Sequence, residues 1–477
     1  MKRVALAFHL AMAALLLGCA LPKRESVDLS FDLPKGSDRV IADRWWEAFG
    51  DEELVRVMET ALEHNQDLEM ALANVEAVAA SARIAGSGLQ PQVTAGAGSA
   101  RNKQVFVGLP IPGPSGVLSS RATTHQLNVN LSWEVDVWGR IRAGKRAAES
   151  DVHASQLDYE GARLSIAGQV LRTWLSAAAA QEQLRLTKAN IEVLKVSEIQ
   201  AQERYAKGLQ SSLDVRLARS NLANARAEEE IWLMQRRQAL RQLSLLMGGY
   251  PSREDELASS LPELHQGIPE GLGSTLLRRR PDLLAAEARV FAAEHRVAEA
   301  QAARYPRFSL TSSAGTTSDK LRDLVDRNFS VWSLAGNVAQ PLLDGGRLKA
   351  GKALAEASTK RAVAAYEKNI LMAFEEVEAA LDGEDLLQKR EVKLLQAKAE
   401  AEGALQLAQE RYAGGLEFYV TVLEAQRREI DAKRQLMAIR QQRLDNRVSL
   451  YLALGGGFGV FDEALETEQS LETEVLK

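Results

Sequence analysis

From Leu127 the chain alternates strictly. Leu127, Val129, Leu131, Trp133, Val135 and Val137 are apolar, with Asn128, Asn130, Ser132, Glu134 and Asp136 between them. A period of two over about a dozen residues marks a strand, and that length suits a tilted strand in a membrane. Gln92–Ser99 predicts a weaker strand of small residues. "GLPIPGPSG" at 108–116 can only be a loop between the two. A second pair is predicted at Phe308–Thr316 and Ser330–Gln340, joined by the polar "TSDKLRDLVDRN". The hairpins therefore fall at about 92–138 and about 307–341. Four strands cannot close a barrel, and an open edge in lipid leaves backbone groups unsatisfied. If these hairpins lie in a bilayer, several chains must contribute to one barrel.

After each hairpin the period changes. Arg140–Ala206 and Arg347–Ala413 are each nearly 70 residues without proline, roughly 100 Å of helix at 1.5 Å per residue. Val363, Tyr366, Ile370, Phe374, Val377 and Leu381 step by three and four, while Leu157, Leu164, Leu171 and Ala178 recur every seven. Such stripes are packing faces of coiled-coil-like helices. Gly208 and Gly415 stop these helices as left-handed C-terminal residues. Helical patterning resumes at Asp214–Met247 and Val420–Leu454.

The two halves are copies. "ERYAKGL" at Glu203–Leu209 returns as "ERYAGGL" at Glu410–Leu416, 207 residues on. "WGRIRAGKRAAES" at 138–150 matches "GGRLKAGKALAEA" at 345–357 with the same offset. Upstream, "LEHNQDLEMALA" at 62–73 aligns with "LRRRPDLLAAEA" at 277–288 at an offset of 215, so the first copy carries 8 extra residues in its middle. The expected organisation is a leader at 1–18, a linker at 19–39, a first repeat at 40–249 and an inter-repeat segment at 250–274. A second repeat follows at 275–454, then a tail at 455–477. The two glycine turns, at about 205–213 and about 412–420, lie at the end of the molecule far from the hairpins.

The first residues bear on compartment. Lys2 and Arg3 precede an apolar run that ends Leu16-Leu17-Gly18-Cys19, which resembles a bacterial lipobox, and Cys19 is the single cysteine. The expectation is a chain beginning at acylated Cys19, with no disulfide; by analogy with other lipoproteins, Ala20 in the next position favours the outer membrane. Without Lys2 and Arg3 the remainder carries 57 basic against 64 acidic residues, a charge of −7. No basic patch suggests nucleic acid. The six histidines are scattered without ligand spacing. "GGGFG" at 455–459 follows a helix, not a strand, so it reads as a helix stop and not as a phosphate loop. Glu134 and Asp136 could mimic a catalytic pair, but a polar barrel lumen explains them better. Neither an enzyme nor a bound cofactor is expected.

The chain resembles the outer-membrane efflux protein family, the TolC and OprM type of channel-tunnel, and within it the lipoprotein branch. The resemblance rests on "RWWEAFGDEEL" at 44–54, "LLRRRPDLLAAEA" at 276–288, "QPLLDGGR" at 340–347 and the two glycine turns ending in "LEAQRR" at 423–428. It implies a mainly helical membrane protein: a homotrimer whose twelve strands close a β-barrel continued by an α-helical tunnel across the periplasm, with a belt of shorter helices from 40–65, 250–274 and the C-terminal segment. It implies a passive exit duct for small molecules, docked through a periplasmic adaptor to an inner-membrane pump of the resistance-nodulation-division type. The alternatives are a lipid-anchored periplasmic coiled-coil scaffold without a pore, or the exit duct of a protein or peptide secretion system.

The same resemblance implies site residues. Tyr205, Gly208, Leu209, Tyr412, Gly415 and Leu416 would form the adaptor-docking tips. Asp214 and Tyr412 would hydrogen-bond at a gate, and Val420 and Glu424 would constrict it. Arg427 could pair with Glu424 along the helix. Two residues depart from the TolC branch: Thr421 stands in place of an acidic residue, and Glu417 in place of an arginine. Asp214 could instead cap its helix, as Ser211 or Ser212 equally could.

Overall fold

A computed structural model describes residues 44–106, 118–251, 260–262 and 279–456. Cys19 with the leader and linker, the 108–116 loop, nearly all of the 250–274 segment and all but the first two residues of the 455–477 tail lie outside the described residues.

A 3-10 turn at Trp45–Phe49 leads into α1 (Glu52–His64) and α2 (Gln66–Ser87). The Asp51 side chain caps α1 by accepting from the amides of Glu53 and Leu54, and it also accepts the Trp174 indole N–H at 3.1 Å. Asn65 caps α2 and donates to the Leu246 carbonyl at 2.8 Å. These polar contacts fix a core in which Trp45, Phe49, Leu54 and Met58 pack on Val170, Leu171 and Trp174. Trp45 also stacks on Tyr451, centroids 5.1 Å apart. Burial of each such side chain contributes about 1.5–3 kcal/mol.

Strands β1 (Gln92–Phe106), β2 (Leu118–Val135), β3 (Arg307–Ser318) and β4 (Ser330–Ala339) form one antiparallel sheet in chain order. The first hairpin is longer than its apolar pattern. β1 continues through Arg101, Asn102 and Lys103, which pair with Thr123, Ala122 and Arg121. Backbone pairing, not side-chain alternation, carries that extension. Val137, expected in the strand, lies beyond it, because Asp136 turns the chain: its carboxylate accepts from the amides of Ile141 and Arg142. Asp136 thus holds the first amides of the following helix, and Glu134 is paired with Arg140 at 2.9 Å.

The register separates two faces. Val93 lies opposite Leu131, Trp133 opposite Leu310, and Ala314 opposite Trp332 on one face. Thr94, Asn130, Ser313 and Ser333 align on the other. The apolar face is bare: Val93 is 63 % and Trp332 81 % exposed.

Each hairpin runs into a 67-residue helix, α3 (Arg140–Ala206) or α6 (Arg347–Ala413), which begins after a left-handed glycine, Gly139 or Gly346. Each long helix turns into a 35-residue partner, α4 (Ser212–Leu246) or α7 (Tyr419–Ala453). Between them α5 (Pro281–Ala302) starts at Arg280, whose buried guanidinium binds Asp282, Glu376 and the Ala453 carbonyl. The heptad stripe Leu157, Leu164, Leu171 and Ala178 is buried in α3. In α6 the buried residues are only Ala373, Ala380, Glu384 and Ala408. Ile370, Phe374 and Val377 pack on one small cluster and stay partly exposed. Among the described residues, no helix is long and apolar enough to cross a membrane.

Candidate functional site

Both long helices end in the same motif. The Leu209 amide donates to the Arg204 carbonyl and that of Gly208 to Tyr205; Leu416 donates to Arg411 and Gly415 to Tyr412. Gly208 and Gly415 both sit at φ 72°. This pair of bonds satisfies the last helical carbonyls and requires the left-handed residue glycine supplies. An added Cβ at either glycine would meet nothing within 4 Å, so backbone conformation alone demands them.

The entering helices differ. Ser211 caps α4, its hydroxyl accepting from the Leu213 amide at 3.2 Å, which leaves Asp214 without the capping role. At α7 the N-cap position is Phe418, which has no capping atom. The Glu417 carboxylate accepts from the Phe418 amide and the Thr421 hydroxyl, each at 3.1 Å. Thr421, at the position of the missing acidic residue, is thereby tied into the turn.

A small core joins the two turns. Ala201, Val215, Ala218, Ala408, Tyr419 and Val422 are buried together, with Tyr412 packed at the margin. The Tyr412 and Tyr419 rings lie 5.4 Å apart, and the Arg204 guanidinium sits 4.5 Å over the Tyr412 ring. The Tyr412 hydroxyl meets the Gln210 amide at 2.5 Å. The expected Asp214–Tyr412 bond is not formed; the phenol's partner is Gln210, which lies closer to the turn. Burial, with the neighbouring Tyr412 and Asp214 adding to it, pushes the Tyr419 phenol up to about 12. A contact with the Ser197 side chain opposes that rise.

The docking residues divide. Tyr205, Leu209 and Leu416 are open, 51 %, 71 % and 74 % exposed, whereas Tyr412 is tucked into the joint core. Val420 and Glu424 stand one turn apart on α7, both exposed. Arg428, not Arg427, pairs with Glu424, at 3.6 Å. Gln210, Arg204 and Tyr419 were missed by sequence reasoning. The aromatic pair Phe418-Tyr419, present after the second turn and absent after the first, was the signal for Tyr419. Nothing in the sequence singles out Gln210. Among the described residues, no three metal-ligating side chains converge.

The sequence model of the outer membrane efflux protein family matches residues 57–249 and 272–456. The chain belongs to the outer membrane efflux protein family. It is 36 % identical over 423 residues to outer membrane protein OprJ of Pseudomonas aeruginosa, covering 87 % of this chain and 86 % of OprJ. It is 31 % identical over 461 residues to the pyoverdine export outer membrane protein OpmQ of Pseudomonas putida, covering 94 % and 97 %. Its fold is similar to the Campylobacter jejuni CmeC outer membrane channel, with a TM-score of 0.85 and 26 % identity over 94 % of this chain and 98 % of CmeC. This outer membrane efflux protein is a channel component of an efflux pump and not an enzyme, and it resides in the outer membrane.

Proposed function

We propose that this efflux protein works as a homotrimeric passive duct for small molecules, with twelve strands closing a barrel in the outer membrane and the long helices forming a periplasmic tunnel. The observation that carries the reading is the sheet. β1 and β4 are free edges, and one face is apolar and bare. A membrane stave with two open edges must meet further copies of itself, since unpaired backbone groups cost several kcal/mol each in lipid. The sparse burial of α6, with Leu354, Leu371, Leu386 and Val392 exposed, supports a second copy along the helices as well.

Equal helix lengths and two matched family segments support descent from one duplicated unit. The exposed tip residues Tyr205, Leu209 and Leu416 offer an apolar surface to a periplasmic adaptor, which would join the duct to an inner-membrane pump. Cys19 would carry the lipid anchor, tested by palmitate labelling that Cys19→Ser abolishes. The duct itself is tested in planar bilayers with detergent-purified protein whose light-scattering mass is measured. The expected result is the mass of three chains and discrete conductance steps. A monomeric mass, or a trimer that conducts nothing, sinks the reading.

A further inference from the structure

α3 is flanked by α4 on one side and α7 on the other. One face of α3, through Val170, Leu171 and Trp174, meets the core of Trp45, Phe49, Leu54 and Met58. The opposite face, through Ser176, Ala180 and Gln183, floors a cleft of about 350 Å³ between the three helices. That volume lies in the range of small-molecule sites.

The walls are unusual for this chain. Gln235, Gln238 and Gln242 come from α4 and Gln441 from α7, with Trp232 and Met437 beside them, and no ionisable side chain lines the cleft. Across the whole chain 26 % of the residues are charged. An ordinary solvated helix face in such a chain would present glutamates and lysines. Gln183 is only 6 % exposed, and its side-chain carbonyl has no hydrogen-bond partner.

We propose that this cleft binds uncharged solutes that carry several hydrogen-bonding groups and one flat apolar face. Primary amides donate and accept at once, so a ring of them matches hydroxyls and amides without favouring either charge sign. The Trp232 indole supplies the apolar platform. The site is a resting station on the duct wall, and in that respect it rests on the duct reading. It works against charged cargo, because an ion would leave water for a wall with no counter-charge.

The test uses the full trimer in planar bilayers with the neutral disaccharide N,N′-diacetylchitobiose as probe, and its deacetylated, cationic counterpart as comparison. The neutral sugar should produce resolved interruptions of the current, and the cation should not. Trp232→Ala and Gln238→Ala should each shorten the dwell time about fivefold, roughly the worth of one neutral contact. Gln406→Ala, on the exposed face of α6, should leave it as in wild type. Interruptions equal for both sugars, unaffected by Trp232→Ala, or missing from a conducting wild type overturn the proposal. Tryptophan fluorescence in detergent reads the cleft independently of conduction. A sugar-dependent change lost in Trp232→Phe supports the site, and no change in wild type overturns it. A channel that fails to conduct but shows that change refutes the duct and leaves the site.

Discussion

Gln210 of the first turn donates its side-chain amide to the Tyr412 hydroxyl of the second, at 2.5 Å across 202 residues of sequence. This bond ties the two copies together at their tips. A neutral bond of this kind is worth about 0.5–1.5 kcal/mol net. Tyr412→Phe and Gln210→Leu should therefore each raise open probability in bilayer recordings about two- to tenfold. The double variant should do no more than the stronger single one, because both remove the same contact. Asp214→Ala alone should stay within about twofold of wild type. Additive single effects, or a larger effect from Asp214→Ala, would contradict this arrangement.

Tyr419 supplies a pH test at the same place. Burial holds its phenol up to about 12, so the folded tip binds the proton more tightly than the unfolded chain does. The neutral phenol is favoured throughout the range below about pH 10, and stability is lost as pH rises from about 10 to about 12. Tyr419→Phe should stay within about 1 kcal/mol of wild-type stability at pH 8, the worth of one neutral hydrogen bond to Ser197. Across the alkaline window it should be favoured over wild type by roughly 2 kcal/mol. Parallel denaturation curves for the two proteins, with no divergence above pH 10, would refute this.

The fold was legible because its signals are long. The 67-residue helices begin and end where the proline-free tracts and Gly208 and Gly415 put them. Strand ends were less legible: Arg101–Lys103 obey no alternation, and only their partner strand holds them extended. The tip was legible in its turns but not in its contacts. Gly208 and Gly415 announce themselves by backbone demand. Whether Tyr412 meets Asp214 or Gln210 depends on how two distant turns lie against each other, which no local pattern encodes. The two sequence copies also look equivalent at Tyr205 and Tyr412, yet one ring is open and the other packed.

Asp445 on α7 gives a prediction in the acidic range. Burial raises its carboxyl to about 6, against the opposing pull of Arg172, and its Oδ1 has no partner. The Arg172 guanidinium is instead committed to the Ser449 hydroxyl at 2.9 Å. The folded state then prefers the protonated acid, so this group's contribution falls as pH rises from about 4 to about 6. Asp445→Asn should be more stable than wild type by roughly 1–2 kcal/mol at pH 7, and the gap should close by about pH 4. A gap independent of pH would assign the effect to packing rather than charge.

Glu424 and Arg428 test the charge of the tip. Their pair is exposed on both sides and worth a few tenths of a kcal/mol, too little to cancel the carboxylate's field. Glu424→Gln should lower the cation-to-anion permeability ratio, read from reversal potentials in a salt gradient, and Arg428→Gln should raise it. Both shifts should shrink towards 1 M salt, where screening acts within about 3 Å. Unchanged reversal potentials in both variants would remove Glu424 from the conducting path.

The shared length of α3 and α6 makes the molecule its own measuring rod. Each residue in such a helix advances the chain 1.5 Å and turns it about 100°. Two shafts of 67 residues, each preceded by a left-handed glycine, bring their turns close enough for Gln210 to bond Tyr412. A single deleted residue in one shaft would swing every side chain beyond it by over a quarter turn and leave Gln210 and Tyr412 facing away from each other. Evolution can therefore lengthen or shorten such a chain only in matched steps that restore phase in both copies at once, and point insertions along either shaft are closed to it.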